Sequence, residues 1–216
     1  MQKIMKKGKV MLKEKNEKFY YEKPSLFRKE DAIDYVKEFY KYNSSIAGIN
    51  CLDAFLNNYE EWLLKLKNDS SCLANEVKVP SETYFLVREN DDRIVGMTNI
   101  RLVLNDRLRQ SGGHLGGSIR PTERKKGYSE ISLYLALLLC QKYGISKAYI
   151  NSRENNPGSW RGIEALGAKL INEYYDVIIY KTIIKDYIID VDQAIYDKKE
   201  KYVSYLCENG FQKVKR

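Results

Sequence analysis

The sequence has little of what metal sites and disulfide frameworks require. Its 216 residues include a single histidine, His114, and four cysteines, Cys51, Cys72, Cys140 and Cys207. The cysteines are widely scattered and show no C-x-x-C spacing. We therefore expect free thiols, with neither disulfides nor a bound metal.

Long hydrophobic runs are also missing. The longest, Leu133 to Cys140, is far shorter than a membrane span, and the N-terminal lysines are not followed by the apolar stretch of a signal peptide. We therefore expect no membrane association and a cytoplasmic protein. With 44% hydrophobic residues, a chain of this length is suited to one domain with a sizeable core.

The net charge of +8 belongs to the ends of the chain. Residues 1–23 hold eight lysines and three glutamates, a net +5, and residues 198–216 hold six basic and two acidic residues, a net +4. The segment between them is therefore close to neutral, whereas a nucleic-acid reader concentrates cations on a folded face. We predict a basic flexible segment over 1–17, a folded domain over 18–192, and a charged amphipathic extension over 193–216. Nucleic acid is not the partner that this pattern favours, since lysine-rich ends are typical of solvated arms.

The most informative segment joins a short strand, a basic turn and a helix without a linker, over residues 117–143. A turn that leads directly into a helix points several unpaired amides at one place, and the helix dipole adds positive character there. Gly127 permits a backbone conformation that a Cβ opposes, and Arg124, Lys125 and Lys126 bring cations to the same place. The segment therefore predicts a site for a diphosphate.

The residues on both sides of this turn support a sheet and a buried helix. The run His114 to Arg120 has strand character, and Pro121 ends it. Apolar residues at 131, 133, 135, 137, 138 and 139 predict a helix that is largely buried, with Gly144 as its C-cap.

The remaining elements follow from periodicity and turn signals. We predict strands over Phe19–Glu22, Tyr84–Arg88, Arg93–Val103, Lys147–Ser152, Lys169–Ile184 and Tyr187–Ile189, and helices over Lys29–Tyr42 and Asp53–Leu66. In the C-terminal extension, Tyr202, Tyr205 and Leu206 form one apolar stripe that packs on the domain or on a second subunit, so a homodimer is an open expectation.

Two separated motifs resemble those of the GNAT superfamily of acyl-CoA-dependent N-acyltransferases. The spacing Arg124-x-x-Gly127-x-Ser129 resembles the superfamily's Q/R-x-x-G-x-G/A signature, with serine in place of the final glycine or alanine. Downstream, Asn156 and Ser159 resemble the N-x-x-A/S element, and Gly167 the glycine that ends its helix. The similarity to bacterial acetyltransferases of this kind extends from about Pro24 to about Asp192.

The resemblance implies a fold and a cofactor. The fold is a single α/β domain of GNAT type, with a mixed, mostly antiparallel central sheet and helices on both faces. The cosubstrate is acetyl-CoA. The residues expected to bind it, through the diphosphate, the pantetheine arm or the reactive end, are Ser118, Ile119, Arg124, Lys125, Lys126, Gly127, Tyr128, Ser129, Asn156 and Ser159.

The resemblance also implies transfer of an acetyl group to a primary amine by direct attack in a ternary complex, with a small molecule as the expected acceptor. Two alternatives stay open: acetylation of a protein amino group, and a CoA-binding sensor or interaction module without catalysis. The superfamily's usual acid, a tyrosine seven residues after the motif asparagine, is replaced by Ile163, which motivates the sensor alternative.

Candidates for the catalytic groups come from the residues nearest the expected acyl site. His114 is a candidate base because its intrinsic pKa lies near neutral, although a capping or core histidine is the alternative interpretation. Glu82 and Asp53 are further candidate bases, named for their carboxylates and not for their position. Tyr175, with its neighbour Tyr174, is a candidate acid.

Overall fold

The computed structural model describes residues 17–211. Most of the predicted flexible segment 1–17 and the last five residues of the predicted extension therefore lie outside the described residues. The strands are β1 Phe19–Glu22, β2 Ser81–Arg88, β3 Arg93–Arg101, β4 Leu115–Ile119, β5 Lys147–Arg153, β6 Lys169–Asp176, β7 Thr182–Asp190 and β8 Leu206–Phe211. The helices are α1 Lys29–Lys41, α2 Tyr59–Ser71, α3 Asp106–Gln110, α4 Tyr128–Lys142, α5 Pro157–Ala165 and α6 Val191–Tyr202.

The strands form two sheets that meet side by side. The first has the order β4-β3-β2-β1-β8 and the second the order β5-β7-β6. All neighbouring pairs are antiparallel except β1 with β8, which run parallel. The predicted fold class, a mixed, mostly antiparallel sheet with helices on both faces, is confirmed.

Two apolar clusters cover the two faces of the first sheet. One lies between the sheets and α4, α5 and α6, and the other between the first sheet and α1 and α2. The helix predicted from the apolar positions after residue 128 is the centre of the first cluster, since Leu135, Leu137 and Cys140 are fully buried. It ends where predicted, with Gly144 at φ +72° just past its last turn.

Two predicted element boundaries are wrong. The segment Asp53–Leu66 is not one helix: a 3-10 turn over Leu52–Phe55 precedes α2, which begins at Tyr59 with Glu60 and Glu61 in its first turn, where acidic side chains complement the helix dipole. The segment Lys169–Ile184 is not one strand: β6 ends at Asp176, whose carboxylate accepts hydrogen bonds from the amides of the next turn, and β7 begins at Thr182. The β-branched residues between them have strand composition but form the turn.

The C-terminal segment packs on the domain as a helix and then a strand. On α6, Tyr202 is buried, its ring stacks 5.1 Å from that of Tyr134 on α4, and its hydroxyl donates to Glu130. Leu206 opens β8, which adds a strand beside β1. The predicted apolar stripe therefore faces the domain core.

Within residues 17–211, every helix is too short or too polar to cross a bilayer.

Candidate acyl-carrier site

The turn before α4 presents a row of unpaired amides. Gly127 has φ +84° and ψ 1°, and Lys125 also lies in the left-handed region at φ +62°. The carbonyl of Gly127 accepts the first helical hydrogen bonds, from the amides of Glu130 and Ile131. Within the described chain, the amides of residues 125–129 have no carbonyl or side-chain acceptor. Five donors at the positive end of a fifteen-residue helix form an anion site.

The basic side chains of this turn are mostly engaged by the protein itself. Arg124 donates through Nε to the carbonyl of Ile119 at 3.1 Å and through Nη2 to the hydroxyl of Ser44 at 2.8 Å. Lys126 forms an ion pair with Glu123 at 2.6 Å. The Tyr128 ring is buried against Phe19, so only its backbone faces the turn. The backbone amides, more than the cations, therefore define the site.

A buried carboxylate holds the turn to the sheet. The Glu123 side chain is only 3% exposed and accepts from Arg88 at 2.9 Å, Arg93 at 3.1 Å and Lys126 at 2.6 Å. Burial alone would raise the pKa of Glu123, but the hydrogen bonds from Lys126 and Arg88 outweigh it and hold this pKa below its ordinary value. The sequence analysis missed this group, because Arg88 and Arg93 are distant from it along the chain.

A second buried group fixes the start of the same turn. Arg120, 2% exposed, donates to the carbonyl of Ile94 and pairs with Asp34 at 2.7 Å and Glu38 at 3.0 Å. Glu38 also accepts from the amide and the hydroxyl of Thr122. The end of β4 is thereby attached to α1, which the sequence analysis also missed.

The two sheets touch at one point and then diverge. The amide of His114 donates to the carbonyl of Tyr149 at 2.7 Å, and the amide of Tyr149 donates to Nδ1 of the His114 ring at 3.1 Å. A Cβ on Gly113 would lie 2.2 Å from that same carbonyl, so only glycine permits this approach. Beyond this point β4 and β5 separate into different sheets. We call the resulting gap between Leu115–Ile119 and Lys147–Arg153 the fork.

His114 uses its lone pair within the protein. Nδ1 accepts from Tyr149, and the two rings stack 5.9 Å apart. Burial, together with the positive charges of Arg109 and Arg101, lowers the pKa of His114 to about 4. This arrangement does not support the proposed role as a base; it matches the alternative interpretation of a structural histidine that joins the two sheets.

We predict that His114→Asn keeps the fork and His114→Ala loses it, because the Asn carboxamide oxygen takes the place of Nδ1 as the acceptor for Tyr149. The alanine variant leaves a buried amide unpaired, which costs about 1–3 kcal/mol of unfolding free energy. Urea unfolding at pH 7 measures this difference. Because asparagine cannot act as a base, acetyl transfer by His114→Asn tests whether His114 is the catalytic base.

The pH dependence gives an independent check of His114. Its pKa of about 4 in the folded protein lies below the ordinary 6.5, so the unfolded chain takes up the proton first as pH falls. The contribution of His114 to the free energy of unfolding is fully present above about pH 6.5 and decreases as the pH falls towards 4. The decrease should be smaller in His114→Asn; an equal slope in both proteins would contradict the structural role.

Strand β4 turns alternate backbone groups towards the fork. The amide of Arg101 donates to the carbonyl of His114, and the amide of Arg120 to that of Val95, which fixes the alternation of the β3–β4 ladder. By this alternation, Ser118 bonds to β3, and Gly117 and Ile119 direct their amides to the fork. Of the two residues expected near the acyl group, Ile119 therefore offers an amide and Ser118 does not; Gly117 was missed.

The loop between α1 and α2 covers β4 on the side opposite α4. The hydroxyl of Ser118 donates to the carbonyl of Ala47 at 2.5 Å, and a Cβ on Gly48 would lie 2.4 Å from the carbonyl of Gly116. At the far side of the fork, Arg153 donates to the hydroxyl of Ser45 at 3.0 Å. We call residues 44–48 the acceptor loop, since it borders the fork on the face away from the amide turn.

The second motif lies at the start of α5. Asn156 precedes this helix, its carbonyl accepts from the amide of Ser159, and its exposed side chain makes no hydrogen bond within the described residues. The carboxamide is therefore available to a ligand. Gly162 of α5 approaches the Ser129 hydroxyl of α4, where an added Cβ would be 3.6 Å away, so α4 and α5 start side by side. The predicted end of α5 is confirmed by Gly167 at φ +87°.

The structure does not bring the candidate acids to the fork. Tyr175 lies on β6, which β7 and β5 separate from the fork, and its ring is 59% exposed. The hydroxyl of Tyr174 donates to the carbonyl of Gln110. Ile163 is buried in the core. The two tyrosines were named from their position in the strand after the helix, and the strand order, which the sequence analysis did not resolve, places that strand at the outer edge of the second sheet.

Among the described residues, no group of three or more histidine, cysteine, aspartate or glutamate side chains is arranged to hold a metal ion.

An amide turn at a helix start can bind phosphate groups, and backbone amides in a neighbouring fork can stabilise an oxyanion. The family model for the acetyltransferase (GNAT) family matches residues 27–168. The chain belongs to this family of enzymes, and the resemblance stated from the two motifs is confirmed.

Solved structures with the same fold are bacterial acetyltransferases. They include RimJ of Mycobacterium smegmatis in complex with CoA-disulfide, with a TM-score of 0.62 and 10% identity over 84% of this chain and 89% of that one. For mutant forms of the spermidine/spermine N-acetyltransferase SpeG of Vibrio cholerae, the TM-score is 0.58 and the identity 12%, over 84% of this chain and 98% of that one. For the microcin C7 self-immunity acetyltransferase MccE, in complex with acetyl-CoA and AMP, the TM-score is 0.57 and the identity 13%, over 80% of this chain and 92% of that one. At these identities the likeness shows the fold alone. No curated protein sequence matches the chain.

Proposed function

We propose that this protein transfers the acetyl group of acetyl-CoA to a primary amine on a small molecule. The observation that carries the proposal is the row of amides at residues 125–129, unpaired within the described chain, at the start of α4. A diphosphate there is stabilised by charge-assisted hydrogen bonds and by the helix dipole. Asn156, which precedes the neighbouring helix, has an exposed carboxamide, and we assign it to the same ligand.

The position of the thioester follows from the position of the diphosphate. A carrier anchored at the start of α4 extends along Ile119 into the fork, on the face of the sheets that α4 covers. The amides of Gly117 and Ile119 then face the acyl oxygen and can stabilise the negative charge that develops when an amine attacks. The amine nitrogen forms a bond to the acyl carbon, and the bond between that carbon and the sulfur breaks. The acyl group is never bonded covalently to the protein.

Water is the proton carrier that this site favours. The acceptor amine has to lose a proton before it attacks, and an ordinary alkylammonium has a pKa of about 10. His114 is held neutral through Nδ1, and Ile163 is apolar. The leaving thiolate is a moderate base, since its thiol has a pKa of about 8.5, and bound water can carry to it the proton that the amine loses.

A small acceptor is favoured over a protein by the acceptor loop. Gly48 is in van der Waals contact with Gly116 on β4, and Ser45 reaches Arg153 on β5. The acceptor side of the fork is therefore enclosed at one edge, whereas a protein segment needs an open, shallow surface.

Free-thiol release from acetyl-CoA with a panel of amines tests the proposal. We expect an acceptor-dependent rate with at least one small amine. If CoA raises the melting temperature but no small amine or peptide amine gives a rate, the protein is a CoA-binding sensor, which the apolar Ile163 at the acid position would then explain. A rate with peptide amines alone would indicate a protein acceptor.

A further inference from the structure

Three polar side chains cross the second sheet in one row. Asp186 on β7 is paired in register with Asn151 on β5 and with Asn172 on β6. The neighbouring residues Ile150 and Tyr187 are buried in the core beneath α4 and α5. Because side chains alternate along a strand, the row stands on the opposite face of the sheet.

The carboxylate in the middle of the row is incompletely satisfied. Oδ1 of Asp186 is buried and has no hydrogen-bond partner within residues 17–211, while Asn172 donates to Oδ2 at 3.2 Å. Burial raises the pKa of Asp186 above its ordinary value, against the opposing effect of Asn172 and Asn151.

Other buried carboxylates in the described chain are paired differently. Asp69 pairs with Lys65 at 2.5 Å and Lys78 at 2.7 Å, and Glu123 has three cationic partners. The pKa of both is lowered. The Asp186 side chain is only partly buried, but its Oδ1 is shielded from solvent, and a shielded carboxylate oxygen without a donor is unfavourable. Asp186 therefore has the surroundings of a site that a cationic ligand completes.

The row lies beside the fork, on its acceptor side. Tyr149, two residues before Asn151 on the same face of β5, stacks on His114 where the sheets touch. The row is thus next to β5 just where the fork opens. The acceptor loop contacts β4 on this same face through Ser118. An amine that approaches the thioester from this side passes the row.

The guanidinium of Arg153 on the neighbouring strand does not neutralise the row. Arg153, two residues after Asn151 on β5, donates to the Ser45 hydroxyl and stacks 5.2 Å from the Tyr180 ring. No ion pair joins it to Asp186 in the part of the chain that the structure describes.

The distance to the fork sets the spacing of the ligand. Neighbouring strands are about 4.8 Å apart, so β7 lies on the order of 10 Å from the middle of the widened gap. Of this distance, a hydrogen bond from one ammonium to the carboxylate takes about 2.8 Å, and the approach of the attacking nitrogen to the acyl carbon takes about 3 Å. The two nitrogens of one acceptor would then be on the order of 4–6 Å apart.

We propose that Asp186 binds a second ammonium group of the acceptor, so that the preferred substrate is a small diamine whose other nitrogen is acetylated. This rests on the proposed acetyl transfer for the identity of the reaction, and on the row Asn151–Asp186–Asn172 for the substrate class. Asp186 is a positioning residue for the distal cation, and the reacting nitrogen lies at the fork.

Steady-state kinetics with 1,4-diaminobutane and butylamine test the assignment. In Asp186→Asn we expect the KM for the diamine to rise about 10- to 100-fold, the loss of a charge-assisted contact, with kcat and the butylamine parameters nearly unchanged. Asp176→Asn is the matched control, since it removes the same charge at the hairpin turn of the same sheet, while the amide oxygen of Asn can still accept from Ile179 and Tyr180. Equal effects on both amines, or no effect on the diamine, would overturn the proposal.

A binding measurement separates this proposal from the proposed reaction. Calorimetry of 1,4-diaminobutane with the CoA-saturated protein should show binding that Asp186→Asn weakens. If that holds without any acetylation, the reaction is wrong and the cation site stands; if acetylation proceeds and the variant binds the diamine normally, the cation site is wrong. The variant should also resist urea at least as well as the parent, because it removes the charge from a carboxylate whose Oδ1 is shielded from solvent, and a clear loss of stability would show a structural role instead.

Discussion

Replacing Gly127 with valine is expected to raise the Kd for CoA by about 100-fold or more. Gly127 lies at φ +84°, a conformation that opposes a side chain, and strongly so when the side chain is β-branched. The turn has to rearrange, and the unpaired amides of residues 125–129 then no longer point at one place. Each charge-assisted hydrogen bond contributes about 1.5–3 kcal/mol, so the loss of one or two accounts for the effect. Isothermal titration with CoA measures it.

The same substitution at the other end of α4 is the matched control. Gly144 lies at φ +72°, and an added Cβ there meets nothing within 4 Å, so Gly144→Val has similar backbone strain without steric conflict. Both variants should lose similar stability in urea, and only Gly127→Val should lose affinity. A folded Gly127→Val protein with parental CoA affinity would refute the assignment of the amide turn.

Replacing Glu123 with alanine should lower the free energy of unfolding by about 1–3 kcal/mol, because buried donors of Arg88 lose their acceptor while its pair with Asp91 stays. The guanidinium of Arg88, largely buried, donates to Glu123 at 2.9 Å, and Arg93 and Lys126 converge on the same carboxylate. Chemical denaturation measures the change. CoA affinity should fall as well, since the turn loses its attachment to β2 and β3.

An exposed ion pair provides the control for Glu123. Glu60 pairs with Lys29 at 3.1 Å on the surface, and Glu60→Ala should leave the stability nearly unchanged. Because the pKa of Glu123 is lowered, its stabilising effect is present above its ordinary pKa of 4.5 and is lost as pH falls through the lowered value. Similar losses in the two variants would show that the buried network contributes little.

The amide turn could be predicted from the sequence because its geometry is local. A glycine at the start of a helix and an apolar pattern after it specify where the free amides are, whatever surrounds them. The motif at Asn156 is local for the same reason. These two segments and the hairpin of β2 and β3 were enough to indicate the fold class.

The parts of the site that depend on distant residues could not be predicted. His114 was taken as a candidate base from its intrinsic pKa, whereas its contact with Tyr149 exists only once two strands distant in sequence meet. Glu123 and Arg120 are ordinary charged residues in sequence, and only the fold makes them buried. Asp186 is one of many acidic residues, and the strand order alone places it beside the fork.

The parallel pairing of β1 with β8 has a consequence for how this protein is made. Phe19 lies beside Leu206, so almost the whole described chain separates two neighbours in one sheet. β2 pairs with one edge of β1, but during translation the other edge stays uncovered until β8 has emerged from the ribosome, and pairings between such remote segments form slowly. An uncovered strand edge is a template for pairing with another nascent chain. Biogenesis is therefore the stage at which this enzyme is most exposed to aggregation.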